Sequence, residues 1–222
     1  MCGRYSQTAS LKEITERFQI AVSEVLELAP RYNIAPTQSA PVVVWENARA
    51  LKSLRWGLIP HWAKDSAIGR KLLNARAETV HEKPSFYKSF QSKRCLVLAD
   101  GFYEWKANGL TKTPMRAQLA SRAPFAMAGL WDRWQSPVDG KVLLTYTIIT
   151  TTPNETLRAV HDRMPVILPR GAESAWLDPA TKARELQDML RPSSEAMTAY
   201  AVSTAVNSPR NESPDCAKPV GE

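Results

Sequence analysis

Apolar positions along the chain fall mainly into short runs and alternations rather than long stripes at helical spacing, and most of the elements they predict are strands. An early exception is Leu11, Ile14 and Phe18, which recur on one helix face behind Ser10 and Glu13; a serine followed three residues later by glutamate is a capping box, so a helix is expected over 10–20. Prolines at 30 and 36 predict an extended loop over 31–37. Apolar β-branched runs give strands at 40–45 and 50–56 with a turn at 47–49, followed by an aromatic loop, Trp56-Gly-Leu-Ile-Pro-His-Trp62. Asn74, Arg76 and Glu78 alternate with alanines, as on a strand with one functional face. A short helix at 84–90 precedes a buried strand at 94–100 that runs into Gly101-Phe-Tyr-Glu-Trp-Lys106, and Asn108-Gly109 supplies a hairpin turn. Further strands are expected at 115–119, 125–131, 142–150, 166–168 and 200–204, a helix capped by Asn154 over 155–160, and another from Asp178-Pro179 to about 190, stopped by Pro192.

Strands joined by hairpins, with helices inserted irregularly, argue for an α+β fold built on a mostly antiparallel, curved or barrel-like sheet. No internal repeat or long linker divides the chain, so a single domain over 1–222 is expected, with a less ordered tail from about 207, where Pro, Asn, Ser and Arg concentrate. A hydrophobic content of 44% with seven Trp is ample for a core at 222 residues. Basic residues exceed acidic ones by 29 to 22, and the resulting +7 suits a polyanionic partner. Neither an apolar run of membrane-spanning length nor a secretion signal is present, which predicts a cytoplasmic protein with no membrane partner. Cys2, Cys95 and Cys216 show neither paired nor metal-ligand spacing, so no metal or other cofactor is expected, and Cys95 in its apolar run reads as core.

The candidate chemistry begins at Cys2. Removal of Met1 would leave one residue carrying a free α-amine and a thiol on adjacent carbons, a 1,2-aminothiol. The amine condenses with an aldehyde to an imine, and the thiol then closes a five-membered thiazolidine. An α-amine pKa of about 7.7 to 8 and a thiol pKa of about 8.5 leave part of each nucleophilic near neutrality. Glu104, among Phe102, Tyr103 and Trp105, is either a carboxyl raised toward neutral pH by its apolar neighbours or a surface glutamate on a strand edge. His161, at a helix-to-strand junction, is placed to titrate near pH 7. The aromatic loop ending at Trp62 either plugs the core or offers flat surfaces to a ligand.

Taken together, Met1-Cys-Gly-Arg4, Arg31-Tyr-Asn-Ile-Ala-Pro36, Trp56-Gly-Leu-Ile-Pro60, Asn74-Ala-Arg-Ala-Glu78, Ala99-Asp-Gly-Phe-Tyr-Glu-Trp105 and His161-Asp-Arg-Met-Pro165 resemble, in this order, the SRAP (SOS response-associated peptidase) family of abasic-site processing proteins. The resemblance implies a monomeric covalent trap for abasic sites in single-stranded DNA, associated with the nucleoid, that serves the DNA damage response. Cys2 would supply amine and thiol, Asn74 would hold the reacting sugar, Glu104 would act as general acid and base, and His161 would shuttle protons. Arg4, Arg76 and Arg163 would grip flanking phosphates, with Trp62 and Trp105 as stacking surfaces. Weak strand-cleaving lyase activity through the imine is also implied. Two alternatives stand beside it: an N-terminal-nucleophile peptidase acting at least on Met1, and a basic single-strand-binding module without chemistry.

Overall fold

The computed structural model describes residues 2–221; the expected removal of Met1 falls on a residue outside that range. The elements are β1 (Arg4–Gln7), α1 (Leu11–Phe18), β2 (Val22–Ser23), β3 (Arg31–Ile34), β4 (Ser39–Trp45), β5 (Arg49–Trp56), β6 (Asn74–Arg76), α2 (Tyr87–Ser92), β7 (Arg94–Ala99), β8 (Gly101–Asn108), β9 (Thr111–Leu119) and β10 (Phe125–Gln135). They continue as β11 (Val142–Thr151), α3 (Glu155–Arg158), β12 (Met164–Pro165), β13 (Ile167–Leu168), α4 (Glu173–Leu177), α5 (Ala183–Asp188) and β14 (Met197–Ala201).

The larger sheet runs β12-β11-β10-β7-β4-β5-β2, and a parallel pairing of β11 with β5 joins its middle strands into a closed five-stranded ring, β5-β4-β7-β10-β11. Closure leaves these strands buried on both faces, which explains why 40–44 and 95–99 are continuously apolar instead of alternating. Val42, Val44, Cys95, Val97 and Tyr146 turn one way and pack with Tyr5, Ile34, Phe102 and Ala117 of the second sheet. Val43, Leu96, Leu98 and Ile149 turn the other way and meet Ile14 and Phe18 of α1 and Trp176 and Leu177 of α4. The second sheet, β14-β9-β8-β1-β3, is antiparallel throughout and carries the amino-terminal strand between β8 and β3. This architecture is the α+β, barrel-like sheet that the pattern predicts.

Local signals read as expected where they are short-range. Ser10 and Glu13 form the reciprocal capping box of α1, Asn154 caps α3 through the Leu157 N–H, and Gly109 turns the β8–β9 hairpin at φ +61°. Three expectations change. Residues 31–34 are a strand and not a loop, because β1 needs an antiparallel neighbour on its open edge. The helix expected from Asp178 starts only at Ala183: Asp178 instead terminates α4, its side chain accepts from the Ala180 N–H, and its carbonyl is held by the buried Arg94. Arg94 also takes the carbonyls of Phe90, Gln91 and Trp176, pinning α2 and α4 to the barrel. The residues after 207 are not loose. Asn33 Nδ2 donates to the carbonyls of Val206, Ser208 and Asn211, and Glu212 accepts from the Asn33 N–H and the Arg31 guanidinium.

Candidate active site

Four strands or their ends converge on the amino terminus. β1 emerges between β3 and β8 with Cys2 fully buried just before its first paired residue. Beneath it, the Tyr5 and Tyr146 hydroxyls hydrogen-bond at 2.6 Å, and the Trp56 ring meets Tyr5 edge-on at 5.3 Å between centroids and stacks on Tyr146. This aromatic floor is rigid because the β5–β11 closure sets Trp56 opposite Tyr146. The Trp56 ring is fixed further by its indole N–H on the Leu73 carbonyl, one residue before Asn74. Gly57, which follows, adopts φ +118° with the Gly69 carbonyl 2.7 Å from where a Cβ would sit, so a side chain there would force the loop apart.

β6 lies parallel to β11 and delivers Asn74, whose Nδ2 donates to the Cys2 carbonyl at 2.9 Å. β8 delivers Glu104, only 3% exposed, and the turn after α3 delivers His161, whose Nε2 lies 3.7 Å from Glu104 Oε2. Burial raises the Glu104 carboxyl from its ordinary 4.5 to about 7, and the Asp162 charge adds to the rise. Of the two readings open in the sequence, the structure shows the buried carboxyl rather than a surface glutamate on a strand edge. Burial lowers the His161 pKa, with the Asp162 carboxylate, 2.9 Å from Nδ1, opposing the effect. The Arg163 N–H donates into His161 Nδ1 at 3.0 Å, which in the neutral ring places the proton on Nε2, facing Glu104. Burial, then the Glu104 charge, pushes the Cys2 thiol well above its ordinary range, so at rest it is a thiol and not a thiolate.

The residues expected on phosphates divide. Arg76 is exposed, and its guanidinium has no hydrogen bond or ion pair among the described residues. Arg163 is instead held bidentately by Glu78 at 2.6 and 2.9 Å and by the Thr150 carbonyl at 2.6 Å. Arg4 donates to Asn33 Oδ1 at 2.7 Å and to the carbonyls of Val206 and Asn207. In this resting arrangement both guanidinium groups therefore also tie segments of the fold together, Arg163 with its Nε still unpartnered. Glu78 lies in a turn after β6 rather than continuing the face of Asn74 and Arg76. Trp105 donates to Asn207 Oδ1 at 2.8 Å with the Arg4 guanidinium 5.8 Å from its ring centroid, so it borders the Cys2 group through the tail. The Trp62 ring is half exposed on the loop after Pro60, and that loop is anchored by the buried Asp132, which accepts from the His61 N–H.

Asn33 and Asp132 anchor the segments they touch without having been expected to, and Glu78, expected on one face with Asn74 and Arg76, pairs with Arg163 instead. The only signal for Asn33 is its place inside Arg31-Tyr-Asn-Ile-Ala-Pro36, and nothing local announces Asp132 or the Glu78–Arg163 pair, whose partners are remote in sequence. No group of three or more metal-ligating side chains occurs among the described residues.

Comparison with known proteins places the chain among relatives over nearly its whole length. The profile described as SOS response associated peptidase (SRAP) matches residues 1–209. The abasic site processing protein YoqW of Bacillus subtilis (strain 168) is 49% identical over 222 residues, covering 97% of this chain and 98% of its own. The abasic site processing protein HMCES of Gallus gallus is 37% identical, covering 86% of this chain and 66% of its own. Among solved structures, an X-ray structure of a protein from Bacteroides thetaiotaomicron superposes with a TM-score of 0.90 at 30% identity, covering 98% and 99% of the two chains.

Proposed function

The chain belongs to the SRAP family, and from that premise and the geometry around Cys2 we propose that it processes abasic sites in DNA by capturing them covalently at its amino terminus. The observation that carries the reading is the convergence of a buried cysteine at position 2, an amide holding its carbonyl, and a carboxyl poised near pH 7 beside a histidine. An abasic deoxyribose opens to an aldehyde at C1′. The amine freed by loss of Met1 adds to that carbon, and the carbinolamine loses its hydroxyl as water when Glu104 delivers a proton. The thiol then adds across the C=N bond, sulfur to carbon and proton to nitrogen, giving a thiazolidine. One water is released overall, and no oxidant or reductant is needed.

Each residue has a role suited to its environment. A carboxyl with a pKa of about 7 is divided between acid and base near neutrality, as both imine formation and its reversal demand. Because burial keeps the Cys2 sulfur protonated, it waits as a thiol until the iminium forms, and ring closure needs a base to receive the S–H proton. Glu104 in its carboxylate form receives that proton, and His161, with its Nε2–H toward Glu104, donates to the carboxylate and exchanges protons with it. Asn74 bonds the Cys2 carbonyl and so orients Cys2 toward the incoming sugar. Arg76 offers a free cation to the backbone of a single strand. Where ring closure lags, the imine permits β-elimination, which would appear as weak lyase activity.

The test is denaturing electrophoresis of the protein with single-stranded oligonucleotides, one carrying an abasic site and one intact. A band shifted by the mass of the protein with the abasic strand alone is the expected result. Equal behaviour of both strands would leave a binding module without chemistry.

A further inference from the structure

Beside His161 lies an open depression of about 510 Å³ between β8 and α3. Its lining includes Lys106 of β8, Arg158 at the end of α3, His161 and Asp162, with Pro153 and Val160 as apolar walls. We infer that this depression binds one phosphate of the strand flanking the reacting sugar, held by Lys106 and Arg158, and that the bound phosphate promotes protonation of His161. The inference rests on the covalent-capture reading and names a contact that reading lacks.

The first support is the state of the cations. Arg4 and Arg163 are committed to internal acceptors, whereas Lys106 and Arg158 make no ion pair and no side-chain hydrogen bond among the described residues. Unpaired cations that line a concavity are a ready site for a phosphate, and Arg158 adds a planar fork. The second support is position. Lys106 follows Glu104 by two residues on the same strand, so both leave the sheet on the same side, and His161 lines the depression while approaching Glu104 at 3.7 Å. A phosphate here would therefore sit one side chain away from the acid–base pair, the separation expected between a sugar and its own backbone linkage.

The consequence for His161 follows from the charges around it. Glu104 and Lys106 face it from β8, Lys112 from β9, Arg158 from α3, and Asp162 and the Arg163 N–H from its own turn. Burial, then the amino-terminal charge, then Lys112 disfavour the imidazolium. Asp162, with its carboxylate 2.9 Å from Nδ1, already favours the imidazolium against burial and the cations. A phosphate monoanion between Lys106 and Arg158 would add a second anion beside the ring, favouring a charged His161 when substrate is seated.

The experiment follows the His161 imidazole resonance by NMR as a function of pH, using the full chain, first with inorganic phosphate and then with an abasic oligonucleotide. Inorganic phosphate should raise the His161 titration midpoint, and Lys106→Gln/Arg158→Gln should abolish the response. Two further oligonucleotides carry a neutral methylphosphonate on the 5′ or the 3′ side of the lesion. One of them should lose affinity on the wild-type protein and show no further loss on the double variant. On single strands the double variant should flatten the log–log salt dependence by about 0.7, the share of one phosphate. A response to inorganic phosphate with neither methylphosphonate discriminated would reduce the depression to a free-anion site and overturn the strand assignment. An unmoved His161 midpoint, or a double variant that binds and cross-links like wild type, would overturn the inference while the Cys2 adduct stands. Loss of the adduct from wild-type protein would instead refute the capture reading.

Discussion

Glu104→Gln separates the cost of the acid–base carboxyl from its use. Within the folded chain beginning at Met1, burial holds this carboxyl at about 7 against an ordinary 4.5, and the difference of roughly two and a half pH units corresponds to about 3 kcal/mol. Between pH 4.5 and 7 the folded state keeps the proton that the unfolded chain releases. Stability is therefore lost as pH rises through that window and is level above it. Glutamine has nearly the same shape and cannot ionise, so the variant should gain on wild type progressively from about pH 5 to pH 8, by up to about 3 kcal/mol. Urea denaturation of both proteins at intervals across that range measures the difference through the midpoint at constant m. The same substitution should slow both formation and reversal of the abasic-site adduct while leaving binding to intact single strands unchanged. Parallel stability curves for the two proteins would show that Glu104 is an ordinary carboxylate and remove the reason to place the proton transfer there.

Other consequences are read elsewhere in the fold. Asn33→Ala deletes three donations to the tail carbonyls and the acceptor of Arg4, and should cost about 2 to 4 kcal/mol, with faster amide exchange over 206–212 than in the barrel strands. Arg76→Ala removes an exposed, unpaired cation and should reduce the log–log salt slope of single-strand binding by about 0.7; an unchanged slope would take Arg76 off the phosphate path.

What could be read from the sequence divides by the range of the interaction that fixes it. The capping box at Ser10, the Asn154 cap and the Gly109 turn are settled within four residues, and each stands where the pattern puts it. The apolar runs at 40–44 and 95–99 announced buried strands, but not the parallel β5–β11 closure that makes a ring of them, since no local feature encodes that pairing. Residues 31–34 were read as a loop because prolines bracket them; their strand exists only because β1 needs a partner. The same division holds at the site. Glu104 among aromatics was legible as a carboxyl that burial could raise, and Cys2, Asn74 and His161 stood out within their motifs. The arginines were legible only as charge. That Arg163 is spent on Glu78 and Arg4 on the tail, while Lys106 and Arg158 stay unpaired, depends on partners tens of residues away or more.

The account depends most on Cys2 being the first residue when it reacts, because a thiazolidine requires amine and thiol on adjacent carbons. With Met1 retained, that nitrogen is an amide whose lone pair is delocalised and forms no imine. The direct measurement is mass spectrometry of the amino-terminal peptide after reaction with an abasic oligonucleotide, for protein with and without Met1. The account predicts a heat-stable adduct on Cys2 in the processed protein alone, and for processed Cys2→Ser an imine that borohydride traps without a stable ring. A heat-stable adduct on protein that still carries Met1, or on any residue other than Cys2, would contradict it.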